Sequence, residues 1–354
     1  MKILIFGGTG AMGVHLTSLL RETEHEVLVT TRRERKSTGN IAYIHGNAHD
    51  VVFVNKLILQ NRWDVIVDFM IYNTDEFRQR IHSLLSNCWQ YIYISSSRVY
   101  ADTQPCINEE SPRLLDVCDD DEYLLTDEYA LTKARQEDLL RHSEYKNWTI
   151  IRPYITYSEE RLQLGVLEKE NWLYRALQGR TVVFSKDIAS RITTLTYGYD
   201  VARGMLALFG KKEALCEAFH ITVDECHTWN EIFEVYMSVL SKHLDNPPKI
   251  KFIDYNPRVK LPYSKAQVVY DRYYNRRFDN SKIKNFIDTS TFKPTLEGLV
   301  MCLEEFLRHP QFNIKGWSEQ ALYDRITNEW TPLKDIPSWK DRLKYLLRRT
   351  ILHK

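Results

Sequence analysis

Tyr129 and Lys133 stand four residues apart in the stretch YALTK. On a helix, residues i and i+4 share a face, so the ammonium can lie beside the phenol. A free tyrosine titrates near ~10. A neighbouring cation favours its phenolate form. Such a tyrosine can pass a proton to or from a carbinol oxygen near neutral pH. The alternative is a solvated Tyr–Lys pair, because this spacing is common on surface helices. The second group is Ser95-Ser96-Ser97, directly after the apolar run YIYI. Ligands bind outside the carboxyl ends of parallel strands. A serine there can hydrogen-bond a substrate oxygen as its charge shifts. A serine-rich strand end without a ligand is the plainer reading.

A third group lies near the start, where GGTGAMG follows MKILIF. Gly7, Gly10 and Gly13 suit three different demands, namely a tight turn, close backbone approach to a pyrophosphate, and close packing of helix on strand. Thr9, Ala11 and Met12 complete the loop. The helix that follows turns its free N–H groups and positive dipole end toward the phosphates. A turn without a ligand is the alternative, and the strand-loop-helix-strand setting favours nucleotide binding. The next strand ends in Thr31-Arg32-Arg33. Nucleotide folds that bind NAD commonly carry an acid there, whereas arginine suits the extra 2′-phosphate of NADP. Arg32 and Arg33 therefore point to NADP over NAD, with a basic surface turn as the alternative. Lys133 could then hold the nicotinamide ribose.

These groups need a scaffold, and the pattern supplies one. Residues 2–6 read as a buried strand, Met12 to Arg21 carries a helical stripe, and EVLVTT is a second strand. IAYIHG and DVIVDFM read as the third and fourth strands, with a helix over residues 75–87 and YIYISSS as the fifth strand. Residues 101–122 lack periodicity and end in an acidic cluster, which reads as a solvated loop. A helix over 127–141 and the strand WTIIRPYITY follow. This alternation predicts a doubly wound parallel α/β Rossmann sheet over residues 1–160, with a return segment near 191–210. Residues 161–190 and 211–335 read as a smaller, mostly helical substrate lobe, and 336–354 as a basic amphipathic helix.

Composition narrows the field. The chain has 354 residues, 44% apolar and 27% charged, with a net charge of +1, so nothing global points to nucleic acid. Its six cysteines form no CxxC and its eleven histidines show no ligand spacing, so no metal is expected. The run ILIF is too short for a signal peptide, and no stretch approaches the roughly 20 apolar residues of a membrane span. A cytoplasmic protein is expected.

Taken in order, the motifs resemble those of the extended short-chain dehydrogenases/reductases of the NAD(P)-dependent epimerase/dehydratase type, over roughly residues 1–310. GGTGAMG resembles the family's Gly-x-x-Gly-x-x-Gly, GNAHD its segment after the third strand, and YISSSRVYA its fifth strand with the Val-Tyr that follows. YALTK, IIRPYITY and DVARG resemble its Tyr-x-x-x-Lys, its Arg-Pro strand and its re-entry segment. The resemblance implies Ser96 as catalytic serine, Tyr129 as general acid/base, and Lys133 as the cation that tunes it and binds ribose. It implies Asn47 near the adenine and Phe69 and Met70 flanking the cofactor. Pro153, Tyr154 and Ile155 pass the nicotinamide, Tyr154 on the substrate side. Where sugar 4,6-dehydratases of the family carry an Asp-Glu pair, this chain has Ser97 and Arg98. Arginine cannot act as that acid/base, which argues against such a dehydratase and leaves both residues as substrate contacts. Ile155 and Thr156 also stand where many epimerases have an asparagine.

At the substrate end, YDRYYNRRFDNSKIK interleaves Arg272, Arg276 and Arg277 with aromatics. The family resemblance makes Arg276 the candidate grip on a nucleotide-sugar diphosphate. Stacking on RNA is an alternative, and a tyrosine-rich surface helix is an equal one. Arg191 is a further candidate substrate contact. The terminal WKDRLKYLLRRTILHK carries six cations and one acid, with Leu343, Leu346, Leu347 and Ile351 on one face. It is expected to pack on the body, with a membrane surface as the alternative. The expectation is an NADP-dependent oxidoreductase or epimerase acting on a nucleotide-activated sugar, with a homodimer implied by the resemblance. The rival is a non-catalytic NADP-binding or RNA-binding protein on the same fold.

Overall fold

The computed structural model describes residues 1–103, 106–314 and 316–350. It divides into two compact units: Met1–Ser158 with Thr194–Cys226 and Arg276–Thr295, and Glu159–Thr193 with His227–Asn275 and Leu296–Lys354. The return to the first unit is longer than expected, and it includes residues 276–295, which the sequence pattern had assigned to the substrate lobe.

The first unit is built on seven strands, all paired parallel. They are β1 (Lys2–Phe6), β2 (Glu26–Thr31), β3 (Ile41–His45), β4 (Trp63–Asp68), β5 (Cys88–Ile94), β6 (Trp148–Arg152) and an added strand, Glu217–His220. Their order is β3-β2-β1-β4-β5-β6 followed by Glu217–His220. This is the doubly wound arrangement expected from the alternation. Side chains of a strand alternate between faces, and β1 shows the consequence. Ile3 and Ile5 join one core with Leu16 and Leu20, while Leu4 and Phe6 join another with Val54, Phe77 and Leu84. A strand covered on both faces must be apolar at every position, which is why ILIF has no polar residue.

The helices of this unit include α1 (Gly13–Arg21), α2 (Val51–Gln60), α3 (Thr74–Ser86) and one as long as α3 at Tyr129–Arg141. Asp50 caps α2 by accepting from the backbone N–H groups of Val52 and Phe53 at 2.9 and 3.3 Å. Asn73 and Glu76 cap α3 reciprocally, at 2.8 and 3.0 Å. The expected strand 148–157 is two strands. Pro153 has no N–H to continue the ladder, so the chain leaves the sheet after Arg152 and Ile155–Tyr157 pairs parallel with Leu195–Tyr197. The expected loop 101–122 holds a short helix, Leu114–Val117, and ends inside a second, Asp121–Leu124.

In the second unit, Val182–Ser185 pairs parallel with Ile250–Ile253. Helices Trp229–His243, Trp317–Thr327 and Trp339–Thr350 accompany this pair. A buried carboxylate ties its parts together. Asp324 accepts from Arg175 Nη1 at 2.6 Å and from the hydroxyls of Thr331 and Tyr345 at 2.7 Å each. Among the described residues, no helix is long and apolar enough to cross a membrane.

Candidate active site

The sheet order reverses between β1 and β4, and ligands of such sheets bind outside the strand ends at that point. GGTGAMG leaves β1 there. Gly7 has φ +73, and a Cβ on it would meet Met70 Sδ at 3.0 Å and Phe69 Cβ at 3.5 Å. Phe69 and Met70 thus flank the loop from the end of β4. A Cβ on Gly13 would lie 2.7 Å from the Gly8 backbone, so glycine lets α1 pack this closely. Gly10 has nothing within 4 Å of the Cβ position, so that side of the loop is open. Met12 gives α1 no side-chain cap. A bare glycine backbone before an uncapped helix start fits a dinucleotide pyrophosphate. Thr9 is exposed, and Ala11 half-buried.

At the end of β2, Thr31 closes a small turn: its hydroxyl accepts from Arg33 N at 3.2 Å and donates to Arg33 O at 2.9 Å. Arg32 and Arg33 are exposed, and neither makes an ion pair among the described residues. Asn47 is exposed after β3, where its side-chain oxygen accepts from His49 N at 3.1 Å.

The second cluster lies at the carboxyl end of β5. Ser96 is 7% exposed and starts a turn over Ser97–Val99, its hydroxyl accepting from Arg98 N at 3.2 Å. The Arg98 guanidinium lies 5.3 Å from the Tyr129 ring centre and pairs with Glu128 Oε1 at 2.5 Å. Glu128 also caps the Tyr129–Arg141 helix, accepting from Ala130 N at 2.7 Å. Lys133, one turn along, is buried. Its Nζ lies 5.9 Å from the Tyr129 ring centre and donates to Ile94 O at 2.7 Å. One bond leaves two of its three protons for other acceptors. Burial pushes the Lys133 ammonium down to about 8, against the opposing pull of Asp68 and Glu137. The helix register thus brings Lys133 to the strand end that leads into Ser96, with two cations 5.3 and 5.9 Å from the Tyr129 ring centre. This arrangement can stabilise negative charge on a tyrosine oxygen and on a substrate oxygen held beside it.

Buried charges behind this cluster hold it in place, and the sequence pattern gave them no role. Glu137, fully buried on the same helix, accepts from Arg152 Nη2 at 2.6 Å, Arg152 Nε at 2.9 Å and Ser95 Oγ at 2.6 Å. These partners hold its carboxyl below the usual range despite burial, which pulls the other way. Arg152 Nη1 reaches Tyr100 Oη and Glu109 O, each at 3.0 Å. Asp68, at the end of β4, accepts from Met70 N and Tyr91 Oη at 2.9 Å each. Burial raises its carboxyl. Glu137 lies in YALTKARQE at i+4 from Lys133, one signal that could have marked it.

Two expected substrate contacts face the wrong way. Ser97 is fully buried and its hydroxyl donates to Arg152 O at 2.7 Å. Arg276 is also fully buried, with Nη1 and Nη2 on the carbonyls of Ala101 and Tyr100 at 3.1 and 3.0 Å. Neither side chain is presented to a ligand. Pro153 is buried and its carbonyl accepts from Ser97 N at 2.9 Å. Tyr154 is 9% exposed with its ring 5.3 Å from Phe278, and Ile155 is buried in its strand. Arg191 is exposed in the second unit. Ile351 lies outside the described residues.

Residues 3–221 match the profile of the NAD dependent epimerase/dehydratase family. The chain belongs to that family. Solved structures of similar fold include an epimerase from Methanothermobacter thermautotrophicus, with TM-score 0.67 and 17% identity over 87% of this chain and 92% of that one. Another is the UDP-glucuronic acid 4-epimerase of Bacillus cereus in complex with UDP-glucuronic acid and NAD, with TM-score 0.66 and 18% identity over 87% and 99%. A relative in sequence is the chloroplast stem-loop binding protein of 41 kDa b of Arabidopsis thaliana, 24% identical over 273 residues. That match takes in 73% of this chain and 66% of the relative, so this epimerase/dehydratase-family chain spans just under two thirds of the relative's length.

Proposed function

We propose that the first unit is the site of an NADP-dependent oxidoreductase or epimerase acting on a nucleotide-activated sugar. The carrying observation is the cluster at the end of β5. The Arg98 backbone N–H donates to the Ser96 hydroxyl at 3.2 Å, and the Arg98 guanidinium and Lys133 Nζ lie 5.3 and 5.9 Å from the Tyr129 ring centre.

Gly7, Gly10 and Gly13 would hold the cofactor pyrophosphate, Arg32 and Arg33 a 2′-phosphate, Asn47 the adenine end, and Phe69, Met70, Pro153 and Ile155 the rest. A nicotinamide held there would supply the hydride chemistry at the carbinol or ketone carbon of the sugar. Tyr129 takes the proton from the carbinol oxygen, or returns it to the ketone oxygen. Ser96 donates a hydrogen bond to the same oxygen as its charge changes. Lys133 and Arg98 stabilise the tyrosine oxygen while it is without its proton. A reductase would release NADP after each turnover, and an epimerase would retain it. Arg32 and Arg33 tilt the reading toward NADP and net redox chemistry, although the Bacillus cereus epimerase was solved with NAD. The family resemblance adds a homodimer to this proposal.

One observation favours a second reading. The Arabidopsis relative is named for binding stem-loops, so an RNA-binding protein that holds the cofactor without turnover is the rival. Tyr129→Phe separates the two. UDP-hexoses and UDP-uronates are screened with NADP and NADPH, and the variant is expected to lose at least ~100-fold in turnover with cofactor affinity unchanged. Retention of RNA, equal in both proteins, with no turnover of any nucleotide sugar would overturn the catalytic reading.

A further inference from the structure

The helix Trp339–Thr350 has two unlike faces. One is docked. Tyr345 is fully buried, and its hydroxyl donates to Asp324 Oδ2 and accepts from Thr331 N, at 2.7 and 2.8 Å. Arg342 Nε donates to Ile336 O at 2.9 Å and Arg349 Nε to Glu329 O at 3.1 Å. Ser338 caps the first turn, accepting from Asp341 N at 3.1 Å. The helix is therefore formed and fixed before it meets anything else.

The other face is outward and apolar. Trp339, Leu343 and Leu347 follow one another at i, i+4 and i+8 and are 68%, 49% and 37% exposed. A helix packed on a protein body normally turns polar residues outward. Lys340 and Lys344 are exposed and lie one position after Trp339 and Leu343. Successive residues are about 100° apart, so an apolar stripe and a basic stripe run side by side. Asp341, the single acid of this helix, accepts from the Ser338 hydroxyl at 2.7 Å.

We propose that this face docks on an anionic membrane surface, with Trp339, Leu343 and Leu347 in the headgroup boundary and Lys340 and Lys344 on lipid phosphates. Interfacial helices bury an apolar face beside cations in this way. The charge pattern selects this occupant. RNA could stack on Trp339 but gains little from two leucines. A second copy presenting the same face would bring Lys340 and Lys344 against their own kind. An anionic lipid layer takes both stripes at once.

The test is flotation of the full chain with vesicles of phosphatidylcholine alone or mixed with phosphatidylglycerol. Binding is expected only with the anionic lipid, and to weaken with salt. Lys340→Gln with Lys344→Gln is expected to lower partitioning about thirty-fold. Leu343→Ser with Leu347→Ser is expected to weaken it as well. Both pairs are on the surface and should keep the wild-type melting profile, which is checked by circular dichroism. The proposal is overturned if anionic vesicles do not bind, or if the lysine variant binds as well as wild type. It is also overturned if the chain retains RNA and not vesicles, or if Leu343→Ser dissociates a dimer seen by light scattering.

Discussion

Arg32 and Arg33 at the end of β2 and Arg272 and Arg276 in the tyrosine-rich segment look alike in the sequence: paired cations beside candidate ligand-binding elements. The first two are exposed and make no ion pair among the described residues. The second two are buried. Arg272 Nε donates to Gly165 O at 2.9 Å and Arg276 to two carbonyls. A guanidinium whose donors are taken up by backbone carbonyls cannot also grip a diphosphate without leaving those carbonyls unsatisfied, and an unsatisfied buried group costs about 1–3 kcal/mol. Arginine-rich composition alone therefore does not mark a phosphate site. Free donors are needed as well, and they separate the exposed arginines after β2 from arginines whose donors are already taken by carbonyls.

That contrast can be broken most severely at its buried end. Glu137→Gln leaves Arg152 without its carboxylate partner, and breaking a buried pair costs about 3–5 kcal/mol. Urea unfolding should show a loss of this size. A loss under 1 kcal/mol would mean the network is not what fixes the Tyr129–Arg141 helix.

A second test uses acid. His220 is buried, and its imidazole is pushed down to about 4 from an ordinary value of 6.5 by that burial. The unfolded chain binds a proton that the folded chain refuses between these values. Stability is therefore fully present above pH 6.5 and falls as pH drops toward 4, by about 3 kcal/mol from this residue. His220→Gln should remove that share of the acid sensitivity in denaturant melts at pH 7, 5.5 and 4.5. Unchanged sensitivity would contradict it.

The smallest effects sharpen the comparison. Ser97→Ala removes a buried hydrogen bond and should cost about 1 kcal/mol of stability with little change in turnover of the folded protein. Ser96→Ala also removes a hydrogen bond, the one from Arg98 N, and should cost a similar amount of stability, but it alone should lower turnover of the folded protein, about tenfold or more. A reversed pattern would mean that Ser97, not Ser96, meets the substrate.

Much of this fold was legible because its signals are local. The apolar strands, the glycine loop and the Tyr-x-x-x-Lys spacing each sit within a few residues, and the sheet followed from their alternation. What stayed hidden was settled by distant partners or by mixed propensity. Helix α2, VVFVNKLILQ, is rich in β-branched residues and reads as easily as a strand; Asp50 capping its first turn decides for helix. The strand Glu217–His220 has only four residues and is made a strand by β6. Ser96 and Ser97 are adjacent and alike in the sequence. Only Arg152 O, 55 positions away, shows which one is turned inward. Arg276 is likewise decided by carbonyls about 175 positions earlier.

The account rests on the exposed arginines of β2 and the bare glycine loop holding NADP. Calorimetric titration of the full chain with NADP and with NAD, repeated on Arg32→Asp, tests it most directly. NADP should bind at least about tenfold more tightly than NAD, with Arg32→Asp erasing the difference, as expected for loss of a charge-assisted contact. If neither dinucleotide binds, the loop is only a turn and the catalytic assignment falls with it.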